Sequence, residues 1–72
     1  MAELRLKVEG MHCASCALLI EEELEELDGV AEAKASYPRQ RAEVVFDQER
    51  VGLPAILATI GGLGYRASVA DQ

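Results

Sequence analysis

The sequence predicts an α+β fold in two layers: a four-stranded antiparallel sheet with two helices on one face. Three observations carry that expectation. Apolar residues alternate with polar ones in four short runs, the period of half-buried strands. Two other stretches repeat their apolar residues at three- and four-residue steps, the period of a one-sided helix. Along the 72 residues these periods follow one another as β-α-β-β-α-β.

In the first run Leu4, Leu6 and Val8 alternate with Arg5, Lys7 and Glu9, and Gly10 ends it. Cys13, Ala17, Ile20, Leu24 and Leu27 then define one apolar helix stripe, with Gly29 as the expected C-terminal cap. Ala31, Ala33 and Ala35 alternate with Glu32 and Lys34 in a second strand with a small-residue inner face. Tyr37-Pro38-Arg39-Gln40 reads as a turn, because proline presets the backbone angle of the second turn position. Ala42, Val44 and Phe46 give a third strand, which forms a hairpin with the second. Leu53, Ile56, Leu57 and Ile60 have helical spacing, and Pro54 is tolerated in a first turn. Gly61, Gly62 and Gly64 are expected to stop that helix. Tyr65, Ala67 and Val69 alternate with Arg66 and Ser68 in a last short strand. Two helices over one face of such a sheet make the split βαβ, or ferredoxin-like, sandwich. The other sheet face, with Arg5, Lys7, Glu32, Lys34 and Glu43, is expected to be wet.

A chain of this length has room for one core, so residues 1–72 are expected to form a single domain with its core at about residues 3–69. The three aromatics, Tyr37, Phe46 and Tyr65, are too few for base stacking or for holding a large organic cofactor. The formal charge is −6, and its distribution is uneven. Six acids and no base lie between Glu21 and Asp28, whereas elsewhere seven acids meet seven bases. The tract either is a solvated helix face or attracts a cation or a basic protein; it repels nucleic acid. No basic leader precedes a long apolar run, so neither a signal peptide nor a membrane-inserted segment is expected.

Both cysteines fall in the stretch GMHCASC, residues 10–16. Two cysteines separated by two residues are a poor framework for a secreted domain and suit a reducing, cytoplasmic setting. Cys13 falls in the loop after the first strand and Cys16 in the opening turn of the first helix. Free backbone N–H groups and the helix dipole there favour thiolate over thiol, and the Ser15 hydroxyl is a further donor in the same turn. Structural zinc needs four ligands, and the chain offers Cys13, Cys16 and one histidine, His12. A dithiol–disulfide oxidoreductase needs a supporting proline, and both prolines belong to other elements. Transient binding of a soft ion fits best: two thiolates suit Cu(I), and an open two-ligand site admits an incoming third sulfur.

The chain resembles the heavy-metal-associated domain, found as free copper chaperones, in mercury-handling proteins and at the N-terminus of metal-exporting P-type ATPases. The resemblance rests on VEGMHCASC after strand one, Ile20-Glu21 in the helix, Leu27-Asp28-Gly29-Val30 before strand two and Leu63-Gly64-Tyr65 before the last strand. Together these span nearly the whole chain. By position the resemblance implies that Cys13 and Cys16 are the metal ligands. It implies that Met11 packs beneath the loop, with a ligand role for its thioether as the alternative. His12 is implied to point to solvent, a third-ligand role being its alternative. Tyr65 matches a tyrosine that lies near the metal loop in bacterial members, where its ring shields the site; a half-buried core position is its other reading. The Tyr37–Gln40 turn departs from the family's usual Asn-Leu stretch and, from the element order, is expected to be remote from the metal.

Docking members of the family pair an acidic surface with a basic one, and helix one here supplies acid only. The Ala-Ser spacer also lacks the histidine that free bacterial chaperones often carry. Both imply the N-terminal domain of a copper-exporting ATPase, whose partner is a basic-surfaced copper chaperone or another metal-transport ATPase domain. A stand-alone carrier is the runner-up. No aspartate precedes Cys13, and in the family such an acid accompanies zinc pumps. The implied cargo is therefore Cu(I), with Ag(I), Hg(II) and Zn(II) as alternatives. On the helical wheel Leu18 falls opposite the apolar stripe among Glu22 and Glu25, with Leu19 at the rim. This is either a docking patch or ordinary surface leucine. The function so implied is metal binding and hand-over in copper homeostasis, with no catalysis by this domain.

Overall fold

The computed structural model describes residues 1–70. Its elements are β1 (Ala2–Glu9), α1 (Ala14–Glu25), β2 (Val30–Ser36), β3 (Arg41–Phe46), α2 (Leu53–Gly62) and β4 (Arg66–Val69). The sheet runs β2-β3-β1-β4, and every neighbouring pair is antiparallel. This is the two-layer βαββαβ sandwich that the alternating and helical periods predict, with both helices on one face. Leu6, Val8 and Val44 from the sheet meet Ile20 and Leu24 of α1 and Ile56 and Ile60 of α2, all fully buried. Burying each such side chain contributes about 1.5–3 kcal/mol. On the opposite face Arg5, Lys7, Glu32, Lys34 and Glu43 are exposed, as their alternation requires.

Several local expectations are corrected. Cys13 is not part of the α1 stripe; it is the exposed N-cap residue, and the buried stripe is Ala17, Ile20 and Leu24. Gly29 does not cap α1, which ends at Glu25 with Glu26 as C-cap. A further turn follows, closed by Val30 N–H to Leu27 O at 3.1 Å, and Gly29 supplies its left-handed residue at φ 102°. Ala31 is exposed because β2 is bulged: Val30 pairs with Phe46 and Glu32 with Val45, so Ala31 is the unpaired extra residue. Val69 is 47% exposed, since β4 is a short edge strand.

Gly61 and Gly62 do not stop α2 but form its last turn, and only Gly64 is the stop. With Leu63 as C-cap, Gly64 N–H bonds Gly61 O at 3.0 Å and Tyr65 N–H bonds Ile60 O at 3.4 Å, both characteristic of the Schellman arrangement. Gly64 takes the left-handed conformation at φ 97° that this ending needs.

The largest correction concerns the Tyr37–Gln40 turn. Element order alone suggests distance from the cysteine loop. The antiparallel β1–β3 register, however, puts the turn at the same end of the sheet, where Val8 N–H bonds Gln40 O at 3.0 Å. Three connections therefore share one pole: the Gly10–Cys13 loop, the Tyr37–Gln40 turn and the Gly64–Tyr65 link.

Candidate metal centre

Gly10 turns the chain out of β1 with φ 105°, and a Cβ there would lie 3.4 Å from Tyr65 Cδ1. Glycine thus lets the loop and the tyrosine ring approach. Met11, next in line, is buried in the core at 6% exposure and pins the loop from beneath, while His12 faces solvent. Cys13 then adopts an extended backbone, φ −162° and ψ 172°, and its side chain makes no capping bond to the α1 amides. Its sulfur is left free at the helix entrance.

One turn brings the second sulfur alongside. Cys16 N–H bonds Cys13 O at 3.1 Å, and the two Sγ atoms stand 3.8 Å apart, both cysteines being free thiols. Ser15 Oγ lies 2.9 Å from Cys13 Sγ and donates to it when that sulfur is a thiolate. The first turn of α1 holds no acidic side chain, so no carboxylate competes for the positive end of the helix.

The Cys16 thiol is pulled down from an ordinary 9.0 to about 7. Its largest cause is a hydrogen bond from the Tyr65 phenol, followed by backbone hydrogen bonds from His12 and Cys13. In return Cys16 holds the Tyr65 phenol above its ordinary value. The α2 ending sets the Tyr65 ring against Gly10, at the foot of the loop that carries the cysteines. The periodicity of the last strand showed only a half-buried tyrosine, and the thiol contact depends on that helix ending.

The arrangement is a pair of sulfurs on one open turn, of which Cys16 is shifted toward the thiolate. Among the described residues no group of three or more His, Cys, Asp and Glu side chains converges, here or elsewhere, so the site is a two-sulfur pair. Chemically, the turn offers two soft donors and free approach from solvent.

The acidic tract divides in two. Leu18 is 58% and Leu19 39% exposed, and Glu22 and Glu26 lie on the same solvent side of α1. Glu21 and Glu25 instead turn toward edge strand β2. Glu21 Oε2 accepts from Ala35 N–H at 2.7 Å, and Glu25 Oε2 accepts from Ala33 N–H at 3.3 Å. Glu25, expected beside Leu18 in a docking patch, is thus committed in part to the fold. A signal was present: glutamates at i and i+4 on a helix that crosses over to an edge strand.

The heavy-metal-associated domain family matches residues 5–66. The mercuric reductase of Shigella flexneri is 41% identical over 68 residues, which cover 92% of this chain and 12% of the reductase. A zinc-transporting ATPase of Synechocystis is 43% identical over 61 residues, covering 85% of this chain and 8% of the ATPase. Among solved structures, the crystal structure of a copper-binding domain from a P-type ATPase superposes with a TM-score of 0.94 at 32% identity, covering 99% of this chain and 96% of that one. The chain thus spans a small fraction of the curated relatives and nearly all of the excised domain.

Proposed function

Because this chain belongs to the heavy-metal-associated domain family, we propose that Cys13 and Cys16 bind one Cu(I) as cargo and pass it on by sulfur exchange, as the N-terminal domain of a copper-exporting P-type ATPase. The observation that carries this is the pair of free sulfurs, Cys13 exposed and Cys16 half-buried, 3.8 Å apart at the entrance of α1. Two thiolates satisfy a soft ion that accepts low coordination, and the open side admits a third sulfur from a partner. Ser15 and Tyr65 support them from either side as donors to sulfur, Met11 anchors the loop, and His12 stays in solvent. The domain itself catalyses no reaction.

Support for copper comes from the likeness to the copper-binding domain of a P-type ATPase and from the donor set, which has no carboxylate beside Cys13 for zinc to borrow. A second reading, Hg(II), is favoured by the 41% identity to a mercuric reductase, since mercury also takes two thiolates. A competition titration separates them. The reduced chain is expected to take up one Cu(I) and hold it far more tightly than Zn(II), and the Cys13→Ala/Cys16→Ala chain to take up none. Tighter binding of Hg(II) than of Cu(I) against the same thiol competitor would replace copper by mercury. Metal-free catalytic reduction of a protein disulfide would replace both by an oxidoreductase.

A further inference from the structure

The tip of the β2–β3 hairpin gathers positive charge on a protein whose net charge is −6. Lys34, Arg39 and Arg41, with Ser36, line a concavity of about 180 Å³. The one acid on its rim, Glu43, is paired with Arg5 at 3.7 Å, and Lys34 is paired with Glu32 at 3.6 Å. Arg39 and Arg41 are exposed and have no ion-pair partner among the described residues. Both uncompensated arginines line this one concavity, so an anion bound there relieves their like charge.

The tip is also held in place. Gln40 has the left-handed backbone at φ 55°, which is uncommon for a residue with a side chain. Three hydrogen bonds fix it there. Its own N–H and Nε2 both donate to Tyr37 O, at 3.2 and 2.9 Å, and its carbonyl accepts from Val8 N–H at 3.0 Å. Strain fixed by its surroundings marks a position where geometry matters, and here it lies between the two free arginines. The same bond to Val8 ties the tip to the strand that leads into Gly10 and the sulfurs.

We propose that the Arg39–Arg41 tip is a second docking epitope, one that takes carboxylates of a local acidic patch on an otherwise basic-surfaced protein partner and so sets the register in which that partner meets the metal loop. This rests on the metal hand-over reading above. The α1 outer face, with Leu18, Glu22 and Glu26, calls for a basic patch, and the tip calls for an acidic one. A partner bearing both signs is aligned in one orientation across the sulfurs, whereas a partner bearing one sign is not. A protein carboxylate is favoured over an anionic bilayer or nucleic acid. Those present an extended negative field that acts on the whole net charge of −6, while paired side chains act over a few ångströms.

The test is a backbone NMR titration of the intact reduced chain with an amidated hexaglutamate peptide, alongside inorganic phosphate and phosphatidylserine–phosphatidylcholine vesicles. Peptide-induced shifts are expected over Lys34–Arg41, weakening about tenfold in Arg39→Gln/Arg41→Gln and vanishing in about 0.5 M NaCl. Absence of tip shifts, or equal shifts in the double variant, would overturn the proposal. So would phosphate binding as tightly as the peptide, which would make the tip a small-anion site, or a response to vesicles alone. The same double variant is expected to keep one Cu(I) per chain. Loss of copper uptake by the unmodified chain, with tip binding intact, would defeat the metal reading and leave the epitope standing.

Discussion

At the residue scale the central feature is Cys16 at about 7, and its sign has consequences. A folded value below the ordinary 9.0 means that the thiolate's donors favour the fold above that ordinary value, and that this contribution is lost as pH falls through about 7. Metal binding follows the same direction: above the midpoint no proton need leave Cys16. Below it, the proton on this sulfur lowers affinity about tenfold per pH unit, a slope that competition titrations from pH 8 downward would read. Tyr65→Phe removes the largest cause, so the Cys16 midpoint is expected to move up from about 7 toward 9.0. Site-resolved alkylation rates against pH, read by mass spectrometry, would show it; an unmoved midpoint would assign the shift to the backbone instead. The cysteines' place at a helix entrance was legible in the sequence, because the change of period after Gly10 located the helix start. The Tyr65 contact was not legible from periodicity, since it depends on the three-residue path of the α2 ending.

At the scale of elements, the acids of α1 serve the sheet as well as the surface. The outer N–H groups of edge strand β2 are met by Glu21 and Glu25, which blunts an edge otherwise open to pairing with other chains. Glu21→Ala strands the Ala35 N–H and is expected to cost about 1 kcal/mol in urea unfolding, whereas Glu21→Gln keeps an acceptor and loses less. The glycines separate two effects. At Gly29 a Cβ would meet Arg50 Cβ at 2.8 Å and Val51 Cγ1 at 3.0 Å, with φ at 102°. At Gly64 φ is 97° but the space is open. Gly64→Ala is therefore expected to cost about 1 kcal/mol of backbone strain, and Gly29→Ala about 2 kcal/mol or more, because a clash is added. Equal unfolding free energies for the two would contradict the packing at Gly29. Element types and order were legible from hydropathy periods, but the ends were not. Capping at Glu26 and Leu63 and the bulge at Ala31 are settled by tertiary register, to which a period of two or 3.6 is blind.

For the whole molecule, antiparallel topology gathers chemistry at one pole. The sulfur loop, the Tyr65 link and the basic hairpin tip are adjacent there, although they are spread along most of the chain. Element order alone does not reveal that the tip and the loop share one end of the sheet, because this depends on β3 lying beside β1. Acid descends one flank along α1, starting from exposed Leu18. Leu18→Glu is expected to leave metal affinity unchanged and to slow transfer to a partner domain, as followed by stopped-flow exchange; equal rates would remove Leu18 from the docking surface. All of this hangs on two sulfurs holding one soft ion. X-ray absorption of the reduced, Cu(I)-loaded chain addresses that most directly. The expected spectrum is a copper ion in a low-coordinate shell of sulfur alone, lost in Cys13→Ala/Cys16→Ala. A nitrogen or oxygen shell, or the same spectrum from the double variant, would contradict it.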